Sequence, residues 1–158
     1  RMGIRTGYST AQIALHWGIA ILIVMAWLSG EGAEAALKVA EKGEPTGFVP
    51  HVAFGLTILT LVVLRLVIRV TRGVPAAPGT PGSLQVRAAD WGHRLIYLLM
   101  IAAPLGGVSI WFFGMDNGDV HGLLANVLMI VVLGHAVMAL YHHYVLKDGL
   151  IRRMMRAE

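Results

Sequence analysis

The sequence predicts an all-α protein, an integral membrane four-helix bundle running up-down-up-down with both termini cytoplasmic. Three observations predict it. Hydrophobic residues make up 56% of the 158 and charged residues only 14%, with a mean hydropathy of +0.68, a balance foreign to ordinary soluble domains. The apolar residues gather in four runs, about 9–29, 51–71, 89–113 and 121–145. Each is long enough to cross a hydrocarbon core of about 30 Å, which takes about 20 helical residues. The charges then divide by side. The side with both termini and the 73–88 loop holds eleven basic residues against Asp90, Asp148 and Glu158, a net +8. The opposite side has Lys38 and Lys42 against six acidic residues, a net −4. The positive-inside rule therefore places both termini in the cytoplasm.

Each element follows from its own residues. Ser9-Thr10-Ala11-Gln12 reads as a capping box that opens the first span. An Ala/Glu/Lys-rich stretch, Ala33 to Lys42, predicts a short surface helix after it. Pro50 stands at a helix-start position that tolerates proline and introduces the second span, whose far end carries Arg65, Arg69 and Arg72. Residues 73–86, with Pro75, Pro78 and Pro81 at three-residue spacing, predict an extended, partly polyproline-like linker. Pro104 predicts a kink in the third span. The short acidic loop 114–120 leads into the fourth, and Lys147, Arg152, Arg153 and Arg156 close the chain with a basic tail. Trp17, Trp27, Trp91 and Trp111 fall near span ends and read as interface anchors.

Residues 1–158 thus form one transmembrane domain without a convincing internal repeat, and no cleavable signal peptide is expected. The basic residues serve the membrane surface, so lipid is the expected partner and nucleic acid is not. There is no cysteine, which excludes disulfides, thiolate haem ligation, iron–sulfur clusters and thiol nucleophiles.

The chemistry lies in the histidines. His121, His135 and His142 share one heptad seam with Leu128 in the fourth span. His121 and His135 are 14 residues apart, about 21 Å along a helix and on nearly one face. That spacing suits ligands of two cofactors, not two ligands of one metal. Topology converts position into depth: His51 and His121 both open inward-running helices at the outer side, while His16 and His135 lie at a similar deeper level. Two cross-helix pairs result, the arrangement that sandwiches two haems b in a helix bundle. Single intramembrane histidines also serve as interhelical polar links. His93 and His142 are placed deeper still, near the cytoplasmic interface, as candidate contacts for a quinone head group, with Tyr97 one turn from His93. Simple interfacial histidines are the competing reading. Arg65, level with the inner pair, is a candidate partner for a haem propionate, or else a snorkelling anchor.

The stretches YSTAQIALHW, PHVAFGLTILTLVVLRLVIR, WGHRLIYLLMIAAPLGG and HGLLANVLMIVVLGHAVMALYHHYVLKDGLIRRMM resemble the bacterial cytochrome b561 family, within the superfamily of hydrogenase and formate dehydrogenase cytochrome b subunits. The resemblance covers nearly the whole chain. It implies four inner-membrane helices, two haems b and electron exchange with ubiquinone. Carried over by position, the ligands are His16 and His135 for the cytoplasmic-side haem and His51 and His121 for the periplasmic-side haem. Compact members resemble superoxide oxidases, which pass electrons from periplasmic superoxide to ubiquinone. The HHY-x-x-KD stretch, His142 to Asp148, is similar to their quinone-side motif.

The expected function is therefore superoxide:ubiquinone oxidoreductase activity. The alternative is an electron-transfer subunit linking quinone to a periplasmic hydrogenase, dehydrogenase or cytochrome. An outer face of net −4 repels an anion and attracts a cationic protein, which favours that alternative. A histidine-lined metal or proton transporter is the non-redox reading.

Overall fold

A computed structural model describes residues 7–157; Arg1, Arg5 and Glu158, counted above with the cytoplasmic charges, lie outside them. The described residues form only helices and connections. They are α1 (Thr10–Leu28), α2 (Gly30–Ala40), α3 (Pro50–Arg72), α4 (Leu84–Phe113), α5 (Gly118–Tyr141) and α6 (Leu150–Arg153), with a π turn, His142–Leu146, continuing α5. α1, α3, α4 and α5 with its π turn are long and apolar enough to cross a membrane.

Local chemistry sets the ends. The Ser9 hydroxyl accepts from the Gln12 amide N–H while the Gln12 side chain accepts from the Ser9 N–H, closing the capping box. Pro50 sits in the first turn of α3, where its missing N–H has no helical partner to lose. Gly114, in the left-handed region at φ +63°, ends α4. α4 starts five residues before the expected span because Ser83 caps it, accepting from the Val86 N–H. Its polar first turn is invisible to a hydropathy count. Pro104 lies inside α4, and the helix runs through it.

α1 packs on α3, α3 on α4 and α4 on α5, while α2, between α1 and α3 in the chain, contacts both. The contact between α1 and α5 is slighter, and Trp27 bridges it by donating from Nε1 to the Asn126 side-chain oxygen at 3.0 Å. One aliphatic layer forms the core: Ile19, Ile23, Ile58, Val62, Leu99, Met100 and Leu128. Leu128 stands midway between His121 and His135, so this layer separates two histidine levels. Outward residues such as Leu28, Val70, Leu98 and Ile130 are exposed, an apolar belt that a bilayer covers.

At the end holding both termini, side chains tie loops to helices. Gln12, buried, donates to the Gly73 carbonyl at 3.0 Å, and the Trp17 indole donates to the Met154 carbonyl at 2.7 Å. Arg153 donates to the Ala76 carbonyl at 2.8 Å, fastening α6 over the proline-rich loop.

Candidate functional site

His51, in the first turn of α3, and His121, in the first turn of α5, face each other with ring centroids 5.9 Å apart and planes at 86°. The Nδ1–H of His51 donates to the Ala26 carbonyl at 2.7 Å, and that of His121 to the Ala103 carbonyl at 2.9 Å. Each bond assigns the tautomer and leaves Nε2 with a free lone pair. This is the outer-shell arrangement typical of metal-bound imidazole.

Glycines make room for the rings. A Cβ at Gly107 would stand 3.2 Å from Cε1 of His121, and one at Gly106 would stand 3.5 Å from its Nδ1. Beside the pair opens a cavity of about 540 Å³, lined in part by His51, Gly55, Gly107, His121 and Gly122. A Cβ at Gly55 or Gly122 would meet nothing within 4 Å, so flat open walls flank the imidazoles. Glu34 and Asp119 line the same cavity, which has no lysine or arginine among the described residues of its lining.

The inner level holds three imidazoles. His16 of α1 and His135 of α5 have centroids 6.3 Å apart, and His93 of α4 lies 5.3 Å from His135. The expected depth of His93 is therefore corrected: it is beside His135, not deeper. Counting from the end of the third span misplaced it, because α4 overhangs the start of α5. The His121 bond to Ala103 sets the outer level at Ala103, and the last ten residues of α4 extend past it.

The Arg65 Nε–H donates to the Tyr97 hydroxyl at 2.9 Å, and Arg69 lies over the Tyr97 ring. Through Tyr97, one turn along α4 from His93, Arg65 reaches the inner level. Tyr8, just outside α1, has its hydroxyl pushed up by burial against the opposing pull of Arg69 and Arg65. The residues expected to share a quinone site separate. Among the described residues no hydrogen bond or ring contact joins His142 to His93 or Tyr97; His142 turns instead to Asp148 and Gln85.

A planar macrocycle held from both faces needs two metal–nitrogen bonds of about 2 Å plus two imidazole half-widths of about 1 Å, a centroid separation of roughly 6 Å. The His51–His121 and His16–His135 separations both fit it, and His93–His135 falls short. Among the described residues no three His, Asp or Glu side chains converge to hold a bare metal ion. Facing imidazole pairs of this kind suit haem b.

Some of this has no legible signal in the sequence. The Ala26 and Ala103 carbonyls belong to the backbone, so no residue type marks them. Gly106-Gly107, after Pro104, is the readable trace of the His121 slot. Asp148, three residues beyond the fourth span's end, was visible only as part of the terminal motif.

Comparison with known proteins accords with the geometry. A family described as prokaryotic cytochrome b561 matches residues 7–157. "Cytochrome b562" of Cereibacter sphaeroides is 42% identical over 154 residues, covering 95% of this chain and 96% of its own. "Probable superoxide oxidase CybB" of Yersinia pestis is 35% identical, covering 94% and 95%. "Cytochrome b561 homolog 1" of Escherichia coli is 27% identical, covering 94% and 96%. Four apolar helices and facing imidazole pairs meet a match over almost the whole length, and the chain belongs to the prokaryotic cytochrome b561 family of membrane electron-transfer proteins that bind haem b.

Proposed function

We propose that the chain is a di-haem electron carrier of the bacterial inner membrane that takes electrons at its periplasmic face and delivers them to ubiquinone. The observation that carries this reading is the pair of imidazole couples at 5.9 and 6.3 Å on opposite sides of one aliphatic layer. His51 and His121 hold the outer haem, and His16 and His135 the inner one. When bound, haem b supplies one-electron exchange at its iron. The chain's own residues orient, insulate and neutralise. The Ala26 and Ala103 carbonyls fix the outer rings, and the aliphatic layer keeps water from the midplane. Arg65, braced on Tyr97, supplies positive charge at the inner level for a propionate. His142 takes the quinone contact, while His93 stays beside His135 and Tyr97 on Arg65. The charge bias between the two sides supports cytoplasmic termini.

Superoxide is the proposed donor, in keeping with the name of the Yersinia pestis relative. Two superoxide ions, one quinone and two protons yield two dioxygen molecules and one quinol. A second reading rests on Glu34 and Asp119 in the outer cavity: carboxylates there favour a cationic redox protein over an anion. Anaerobic haem reduction decides between them. Superoxide reduces both haems of the purified protein rapidly if it is the donor, and reduction that requires an added cationic cytochrome assigns the second reading. Failure of quinone to reoxidise the reduced protein sinks both.

A further inference from the structure

Beyond the inner histidines the last helix leaves α-helical geometry. His142–Leu146 form a π turn, a local widening frequently found at functional sites. It ends at Lys147 with φ +53°, the one non-glycine residue of positive φ among the described residues. That reversal folds Asp148 back. Its amide N–H donates to the His142 carbonyl at 3.4 Å, one carboxylate oxygen accepts from the His142 Nδ1–H, and the other accepts from the Leu150 N–H at 3.0 Å.

The His142 side chain is only 8% exposed, and His142 is one of two buried polar residues among those described. Its Nε2 faces the side-chain amide of Gln85, in the first turn of α4, at 3.4 Å. Tyr141 stands edge-on at 6.3 Å. From α6, Arg153 acts on Asp148. Asp148 keeps a side-chain exposure of 23%, so the pair joins a buried ring to the aqueous side. A carboxylate on Nδ1 fixes the tautomer and orientation of an imidazole, leaving Nε2 to exchange protons.

We propose that Asp148 is a positioning residue for His142 and that the pair delivers protons from the inner aqueous face to the quinone. The inference rests on the quinone reading above. A quinone oxygen replaces the Gln85 amide at Nε2. Two electrons from two outer one-electron donations and two protons make one quinol. Each proton leaves Nε2 as its N–H bond breaks and an O–H bond forms on the substrate. Water reprotonates the ring while Asp148 keeps hold of Nδ1–H.

The test is stopped-flow reoxidation of the dithionite-reduced, haem-loaded protein by a short-chain ubiquinone, followed from pH 6 to 9 in H2O and D2O. Asp148→Asn is expected to keep both haems and their spectrum. It should slow reoxidation about tenfold and change its pH profile, with a larger solvent isotope effect, as expected of lost general acid catalysis. His142→Gln should show the same slowing, and adding Asp148→Asn to it should slow the reaction no further. Asp148→Glu should restore most of the rate, and it also serves if the Asn variant loses haem. A variant whose pH profile and isotope effect match wild type, whatever its KM, overturns the proposal. If wild type itself is not reoxidised by quinone, the parent reading has failed instead.

Discussion

At the outer level His51 and His121 each hang from a backbone carbonyl, and glycines shape the space around them. At the inner level three imidazoles crowd together, and among the described residues no hydrogen bond holds the ring of His16 or His135. The outer rings are oriented before any ligand arrives, so binding loses little side-chain freedom there. The inner rings meet one another edge-on or tilted instead. The two levels of one helix thus use two ways of presenting a ligand, one set by backbone and one by side chains.

Removing ligands breaks the comparison most severely. His121→Ala should halve the haem content by abolishing only the outer site, and His135→Ala should do the same at the inner site. Each should stop electron passage across the membrane. Haem-to-protein ratio and low-temperature reduced spectra read this directly; an unchanged ratio in both variants would refute the pairing. The next test separates the inner imidazoles. His16→Phe should leave one haem per chain, whereas His93→Phe should leave two with a shifted inner potential. The reverse result would make His93 the ligand.

Glycine substitutions sharpen the contrast further. Gly107→Ala places a Cβ at 3.2 Å from the His121 ring, and overpacking of this kind costs about 1–3 kcal/mol. It should weaken outer haem retention by on the order of tenfold, since 1.4 kcal/mol is a factor of ten. Gly134→Ala, where a Cβ meets nothing within 4 Å, should leave the haem ratio unchanged.

The smallest expected effect is a pH dependence at the inner surface. Burial pushes the Asp148 carboxyl up, but the hydrogen bonds from His142 and the Leu150 N–H, with Arg153 nearby, outweigh it and hold the carboxyl below its usual range. A depressed pKa stabilises the fold above the unfolded value of about 4 and ceases to do so as pH falls through the folded value. Thermal unfolding of wild type should therefore lose a small increment below about pH 4 that Asp148→Asn lacks.

The sequence by itself determined the class of the fold, the four apolar helices, the capping box at Ser9 and the depth order of His51, His121, His16 and His135. These are local or periodic properties: apolar length, cap chemistry and helical rise are written residue by residue. Only the tertiary structure decided where His93 lies, because its level depends on how far α4 slides past α5. It likewise decided that Asp148 returns to His142, through a π turn and a left-handed Lys147 that no apolar pattern encodes. The carbonyls of Ala26 and Ala103 make the final case. Every residue carries one, so only the packing of α1 on α3 and of α4 on α5 selects which two hold the outer imidazoles.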